Sequence, residues 1–307
     1  MNNPKKNQAS KPDYPNEAIL EYIRLATEKG IGYDSEGQRI PSTLVCQAAL
    51  KHLRAGGGRT RSLLCYEVAE MLGLRHDEAV TLGAMVELLH NSSLIHDDIH
   101  DRAITRRGKP NVRAVYGDDI AILTGDLMIS GAYGLLAEIS NVEILRRVIA
   151  HVHGTVRGVI DGQCRDIESI KRDNSVDDYI SIVAAKSGGL IRLAMELPFI
   201  ATRQDQAVID IAGRAAESYA VSYQILDDLL DINEDSGSDD KAQSLNIYHL
   251  LAAELGQEFA KRQSRQIALD LLTEVQHVCE QLPCGSGYPL ILRCGELESI
   301  FVNDLWQ

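Results

Sequence analysis

Asp97, Asp98 and Asp101 form a DDxxD group, and the same spacing returns at Asp227, Asp228 and Asp231. Residues four apart share one side of a helix, so Asp97 projects with Asp101 and Asp227 with Asp231. The middle aspartate of each group is turned about 100° away. Each group closes an apolar segment, at the helix end where the macrodipole is already negative. Three carboxylates crowded there repel one another unless a cation is supplied. A single acidic turn is adequately explained as a solvated cap, but two at matching helix ends point to a shared task. Mg²⁺ suits them, because it takes oxygen ligands and is commonly held by one or two carboxylates together with phosphate oxygens. Zinc fits poorly, although His90, His96 and His100 stand nearby.

A metal pair needs something to hold, and basic residues recur close to these groups. Arg59 and Arg61 follow a run of three glycines, Arg106 and Arg107 follow the first acidic group, and Lys186 and Lys241 stand further on. A guanidinium presents a fork matched to phosphate oxygens. Carboxylates that bind magnesium, set beside such cations, would suit a diphosphate.

The elements that must position these residues are helical. Apolar residues recur with a 3.6-residue period over about 16–29, 42–54, 77–101, 118–139, 142–170, 177–195, 205–232, 243–256, 258–280 and 287–303, and no alternating strand pattern competes. Eleven Tyr, three Phe and one Trp in 307 residues are few for a sheet-rich fold. The expected fold class is all-α: a flexible segment over 1–12, then a single domain over 13–307, a large helical bundle around a central cavity. The segment INEDSGSDDKAQS, residues 232–244, has no apolar period and reads as a loop.

Composition bounds the function. With 31 Lys+Arg against 44 Asp+Glu the formal charge is −13, which excludes a basic nucleic-acid coat. The six cysteines are scattered, and the opening MNNPKKNQAS has no apolar signal-peptide core, so free thiols and a cytoplasmic location are expected. No run of 18 apolar residues is apparent, so no transmembrane segment is expected.

At these motifs the chain resembles the all-trans polyprenyl diphosphate synthases. HNSSLIHDDIHDRAITRRGKP follows that family's first aspartate-rich motif and arginine pair, and YQILDDLLD follows the second. GGGRTR at 56–61, GDLM at 125–128, GQCRD at 162–166 and KS at 186–187 stand in the expected order. The likeness implies the isoprenoid synthase fold, a homodimer and head-to-tail prenyl transfer, with isopentenyl diphosphate and allylic prenyl diphosphates as substrates. It implies Mg²⁺, three ions with bound diphosphate, on Asp97, Asp98, Asp101, Asp227 and Asp231, with Asp228 supporting the second group. Arg106, Lys186 and Lys241 would hold the allylic diphosphate. Arg59, His90 and Arg107 would contact isopentenyl diphosphate, with Gln224 near the reacting end. Product length would be set ahead of the first acidic group by Ser92 and Ser93, and more deeply by Met85, Leu88 and Leu89. The small Ser92 favours a twenty-carbon product, geranylgeranyl diphosphate, with fifteen and twenty-five carbons as the alternatives.

Two departures stand out. The family's usual lysine after the paired glycines is Gly58 here, which removes a phosphate contact and predicts weak homoallylic affinity unless Arg61 or Arg54 compensates. The lysine pattern usual after the second acidic group is replaced over 232–244. These changes keep open a class I terpene synthase-like enzyme that ionises a prenyl diphosphate without elongation. A metal phosphohydrolase built on His96 and Asp97, and a noncatalytic helical subunit, are the readings from other classes.

Overall fold

Helical periodicity predicts most of what the computed structural model shows over the residues it describes, 16–32, 43–232 and 245–302. In chain order the helices are α1 (Asn16–Gly32), α2 (Leu44–Arg54), α3 (Thr60–Met71), α4 (His76–His100), α5 (Val112–Tyr116), α6 (Asp118–Leu135) and α7 (Val142–Ser169). There follow α8 (Val176–Val183), α9 (Gly189–Ala201), α10 (Gln206–Asp231), α11 (Ile247–Leu255), α12 (Gln257–Cys279) and α13 (Tyr288–Val302). The expected segment 1–12, most of the loop 232–244 and the candidate Lys241 lie outside the described residues.

Local chemistry starts several helices. Thr43 Oγ1 accepts from Cys46 N, Asn141 Oδ1 from Ile144 N, and Ser175 forms a reciprocal capping box with Asp178. Each such cap satisfies amide donors that the helix cannot. Tertiary burial supplies the rest. Helix α4 is buried around most of its circumference, through Ala79, Leu82, Met85, Leu88 and Ile95 among others, because α1, α3, α6 and α9 pack around it. Helix α10 packs against α9 and α12, and α7 crosses α9. The two helices that carry the acidic groups are thus core members of one all-α bundle.

Two features depart from the sequence expectation. The segment read as one helix over 177–195 is broken by a π turn, Ala184–Gly188, between α8 and α9. Between α4 and α5 runs a two-residue hairpin, β1 (Thr105–Arg106) pairing antiparallel with β2 (Lys109–Pro110). In addition, Asp118–Glu138 is long and apolar enough to cross a membrane by length and composition, with mean hydropathy 1.6. Asp126 interrupts its apolar run, 44% of its most apolar 18-residue window is buried, and α4 is its main packing partner.

Candidate active site

A cavity of about 750 Å³ opens between α4, α6, α7, α9 and α10. Asp97, Asp126, Lys186, Gln224 and Asp227 line its polar part, and Leu89, Ile129, Val156, Val159, Leu190 and Ile191 its apolar part. Asp97 from α4 and Asp227 from α10 therefore face one space although their helices are remote in sequence.

Helices reach this space by close approach. A Cβ on Gly125 would stand 2.2 Å from His96 Nε2, so glycine lets α6 lie against the last turns of α4. A Cβ on Gly162 would stand 2.6 Å from the Lys186 amide nitrogen, so glycine in the GQCRD motif admits the π turn. That turn presents Lys186 and Ser187 to the cavity, in keeping with the frequent placement of π bulges at functional sites. Lys186 Nζ donates to Asp166 Oδ2 at 2.5 Å, and Ser187 Oγ to Gln224 Oε1 at 3.2 Å.

The middle aspartates are occupied by protein partners. Asp98 is buried and accepts from Arg106 Nε (3.0 Å) and Nη2 (2.9 Å). Asp228 is buried and accepts from Gln224 Nε2 (3.0 Å) and Ile247 N (3.0 Å), while Asn246 Nδ2 reaches its backbone carbonyl. Asp98 thus orients Arg106 and does not stand free as a metal ligand, whereas Asp228 joins the end of α10 to the start of α11. Asp101 is exposed at the end of α4.

The outer carboxylates suit a cation. Burial pushes the Asp97 carboxyl up, with Lys186 opposing and Asp101 adding to the rise. Asp227 is pushed up to about 6 by burial, then by Asp231 and Asp228, against Arg61. Among the described residues no three His, Cys, Asp or Glu side chains form a ready-made metal cage. A hard cation that keeps waters and takes phosphate oxygens needs no such cage.

The Asp227 shift has a measurable consequence. Its folded pKa lies above its unfolded value, so without metal its contribution to stability falls as pH rises from about 4 through 6. Asp227→Asn should stabilise the metal-free protein at pH 7 by about 2 kcal/mol after discounting for solvent access, and far less near pH 4.5. Urea unfolding in chelator at the two pH values reads the difference; an equal gain at both would refute the charge account.

Arg61, and not Arg59, faces the cavity. Arg59, at φ 46°, donates to the Leu20 carbonyl at 3.0 Å and so faces α1. Arg61 lines the cavity, and its Nη1 stands 3.2 Å from His90 Nε2. A guanidinium only donates, so His90 Nε2 accepts and the neutral ring carries its proton on Nδ1. Burial holds His90 well below the usual imidazole range, reinforced by Arg61, Arg107 and Arg106. The bond direction in GGGRTR is set by loop backbone, which spacing alone does not reveal.

The expected product-length residues divide. Leu89, Ser92 and Ser93 line the cavity, and Ser92 Oγ donates to the Gly125 carbonyl at 3.0 Å. Met85 and Leu88 are fully buried in the packed core and are not among its lining residues. Ile129, Val156, Val159 and Ile160, from α6 and α7, line it alongside Leu89, Ser92 and Ser93.

Residues 43–266 match the family model described as Polyprenyl synthetase. The chain is 33% identical over 233 residues to a geranylgeranyl diphosphate synthase of Cyanophora paradoxa, covering 72% of this chain and 77% of that one. It is 31% identical over 249 residues to the chloroplastic geranylgeranyl pyrophosphate synthase 3 of Arabidopsis thaliana, covering 75% and 69%. Among solved structures, the geranylgeranyl pyrophosphate synthetase of Geoglobus acetivorans superposes with a TM-score of 0.77 at 25% identity, over 91% of this chain and 98% of that one.

Proposed function

The chain belongs to the polyprenyl synthetase family and is a trans-prenyltransferase of the polyprenyl diphosphate synthase type, and from that premise we propose that it condenses isopentenyl diphosphate with an allylic diphosphate to a twenty-carbon product. The carrying observation is the cavity itself: carboxylates and Lys186 at one part, and apolar walls from α4, α6, α7 and α9 continuing past the small Ser92 and Ser93.

In this reading Asp97, Asp101, Asp227 and Asp231 would hold Mg²⁺ with the allylic diphosphate, and the bound ions supply neutralisation of charge on the leaving group. Lys186 and Arg106 hold diphosphate oxygens, Lys186 oriented by Asp166 and Arg106 by Asp98. Arg61, backed by neutral His90, and Arg107 receive the homoallylic diphosphate. Gln224, fixed between Ser187 and Asp228, bounds the reacting end. The apolar walls exclude water from a short-lived allylic cation and align the second substrate's double bond with it. The described unit acts as one helical domain. A homodimer is part of the proposal, supported by exposed Ile122 and Leu123 on α6 and Val142 and Ile149 on α7.

Loss of the lysine at Gly58 favours a second reading, ionisation of a prenyl diphosphate without elongation. Incubation of the purified chain with Mg²⁺, isopentenyl diphosphate and each allylic diphosphate separates the two. Elongated prenyl diphosphate, with twenty carbons dominant, is expected. A cyclic or linear hydrocarbon formed without isopentenyl diphosphate would favour the second reading, and inorganic phosphate release would favour a phosphohydrolase.

A further inference from the structure

A second cavity, of about 360 Å³, lies between the last turn of α2 and the β1–β2 hairpin. Lys51, His52, Arg54, Arg106, Arg107 and Lys109 wall it, and among the described residues no carboxylate does. Such a cluster in a chain of net charge −13 needs an explanation. Two of the cations are already compensated: Arg54 donates to Glu28 through Nε and Nη2, and Arg106 is held by Asp98. Arg54 is therefore a poor substitute for a missing phosphate contact.

The other three are not compensated. Lys51 Nζ stands 5.4 Å from the Tyr116 ring centre, and among the described residues no carboxylate forms an ion pair with Lys51, Arg107 or Lys109. Arg107 is fixed in place by its left-handed backbone (φ 53°) and by Gly57, where a Cβ would lie 2.5 Å from the guanidinium carbon. The buried His52 beside them has an Nε2 with no hydrogen-bond partner, and burial together with Arg106 pushes its imidazole down to about 4, so it adds no charge of its own. Uncompensated cations sharing one cavity repel each other, and a multiply charged anion relieves that repulsion.

The adjoining glycine loop explains why such a cation would be needed. At Gly58 an added Cβ would meet only Thr60 Oγ1, at 3.3 Å, so the position has room for a side chain but carries none. We infer that Lys51 supplies from α2 the ammonium that the loop lacks, and that Lys51 and Lys109 reach through this cavity the isopentenyl diphosphate that Arg107 and Arg61 receive. The inference rests on the prenyl-transfer reading above.

Steady-state kinetics of Lys51→Ala, Lys51→Arg and Lys51→Ala/Gly58→Lys test it. Lys51→Ala should raise KM for isopentenyl diphosphate about tenfold, with kcat and the allylic KM within about twofold of wild type. Lys51→Arg and the double variant should stay within about threefold of wild type in every constant. A Lys51→Ala enzyme whose isopentenyl KM is unchanged, or whose two KM values rise together, overturns the assignment. Calorimetric binding of inorganic diphosphate in chelator gives a second readout, and should weaken about tenfold in Lys51→Ala. Should the wild type elongate while Lys51→Ala changes neither readout, the cavity inference fails and prenyl transfer stands. Should the wild type not elongate, yet bind diphosphate through Lys51, prenyl transfer fails and the isopentenyl assignment with it.

Discussion

Asp227→Ala and Asp97→Ala should each lower product formation by about 10³-fold or more, equivalent to about 4 kcal/mol of transition-state stabilisation. Both side chains line the main cavity, and among the described residues neither has a protein cation as close as Arg106 is to Asp98. In the proposed reading they are the groups left to carry metal, because the middle aspartates have protein partners. The prediction separates catalysis from folding unusually well. Burial and neighbouring carboxylates already disfavour charge at Asp227, so removing it should leave the melting temperature unchanged or raised. Rates measured with saturating Mg²⁺ and both substrates provide the check. A variant retaining activity within about tenfold of wild type would refute a metal-binding role for that aspartate.

The middle aspartates behave differently for a structural reason. Asp98→Ala strips the carboxylate from a half-buried Arg106, and Asp228→Ala removes the acceptor for Gln224 and the Ile247 amide. Removing one partner of a buried charged hydrogen bond is costly to stability as well as to orientation. Loss of rate in those two variants should therefore come with a lowered melting temperature, which distinguishes positioning from ligation.

How far the site was legible follows from what each signal encodes. DDxxD spacing on a helix predicts which carboxylates share a face, and the outer pair of each group is indeed separated from the middle one. Helix phase places Gln224 beside Asp228, four residues on, but the other partners come from outside the helices, Arg106 from the first strand of the hairpin and Ile247 from the start of α11, and helix phase carries no such information. Arg59 and Arg61 show the same limit within six residues: a left-handed backbone at Arg59 turns it towards α1 and leaves Arg61 to the cavity. Lys186 was readable as a cation near the site, but the π turn that presents it is a packing outcome, made possible by Gly162 on another helix. The histidines behave as packing or network groups. His96 lies against Gly125, and His151 pairs with the buried Glu196, which also accepts from Arg192. His90, His96 and His100 all line the main cavity, but among the described residues no three His, Cys, Asp or Glu side chains come together as the metal cage of a phosphohydrolase would.

Product length gives the second large effect. Ser92 lies five residues before Asp97, about 7.5 Å along the helix axis, and it lines the cavity while its hydroxyl bonds to the Gly125 carbonyl. A phenyl ring there would intrude on the cavity that Ser92 lines with Leu89, Ile129 and Val156, the space proposed for the growing chain. Ser92→Phe should move the dominant product from twenty carbons to fifteen or fewer, read by chromatography of the dephosphorylated products. Some overpacking is expected, about 1–3 kcal/mol, but the adjoining cavity offers the ring space that a closed core would not. Met85 and Leu88 provide the contrast. Both are fully buried away from the cavity, so Met85→Ala or Leu88→Ala should cost about 2–5 kcal/mol of stability and leave product length unchanged. If instead Ser92→Phe keeps the product distribution while Leu88→Ala lengthens it, the chain descends along α4 itself, and the wall formed by α6 and α7 is not the one that measures it.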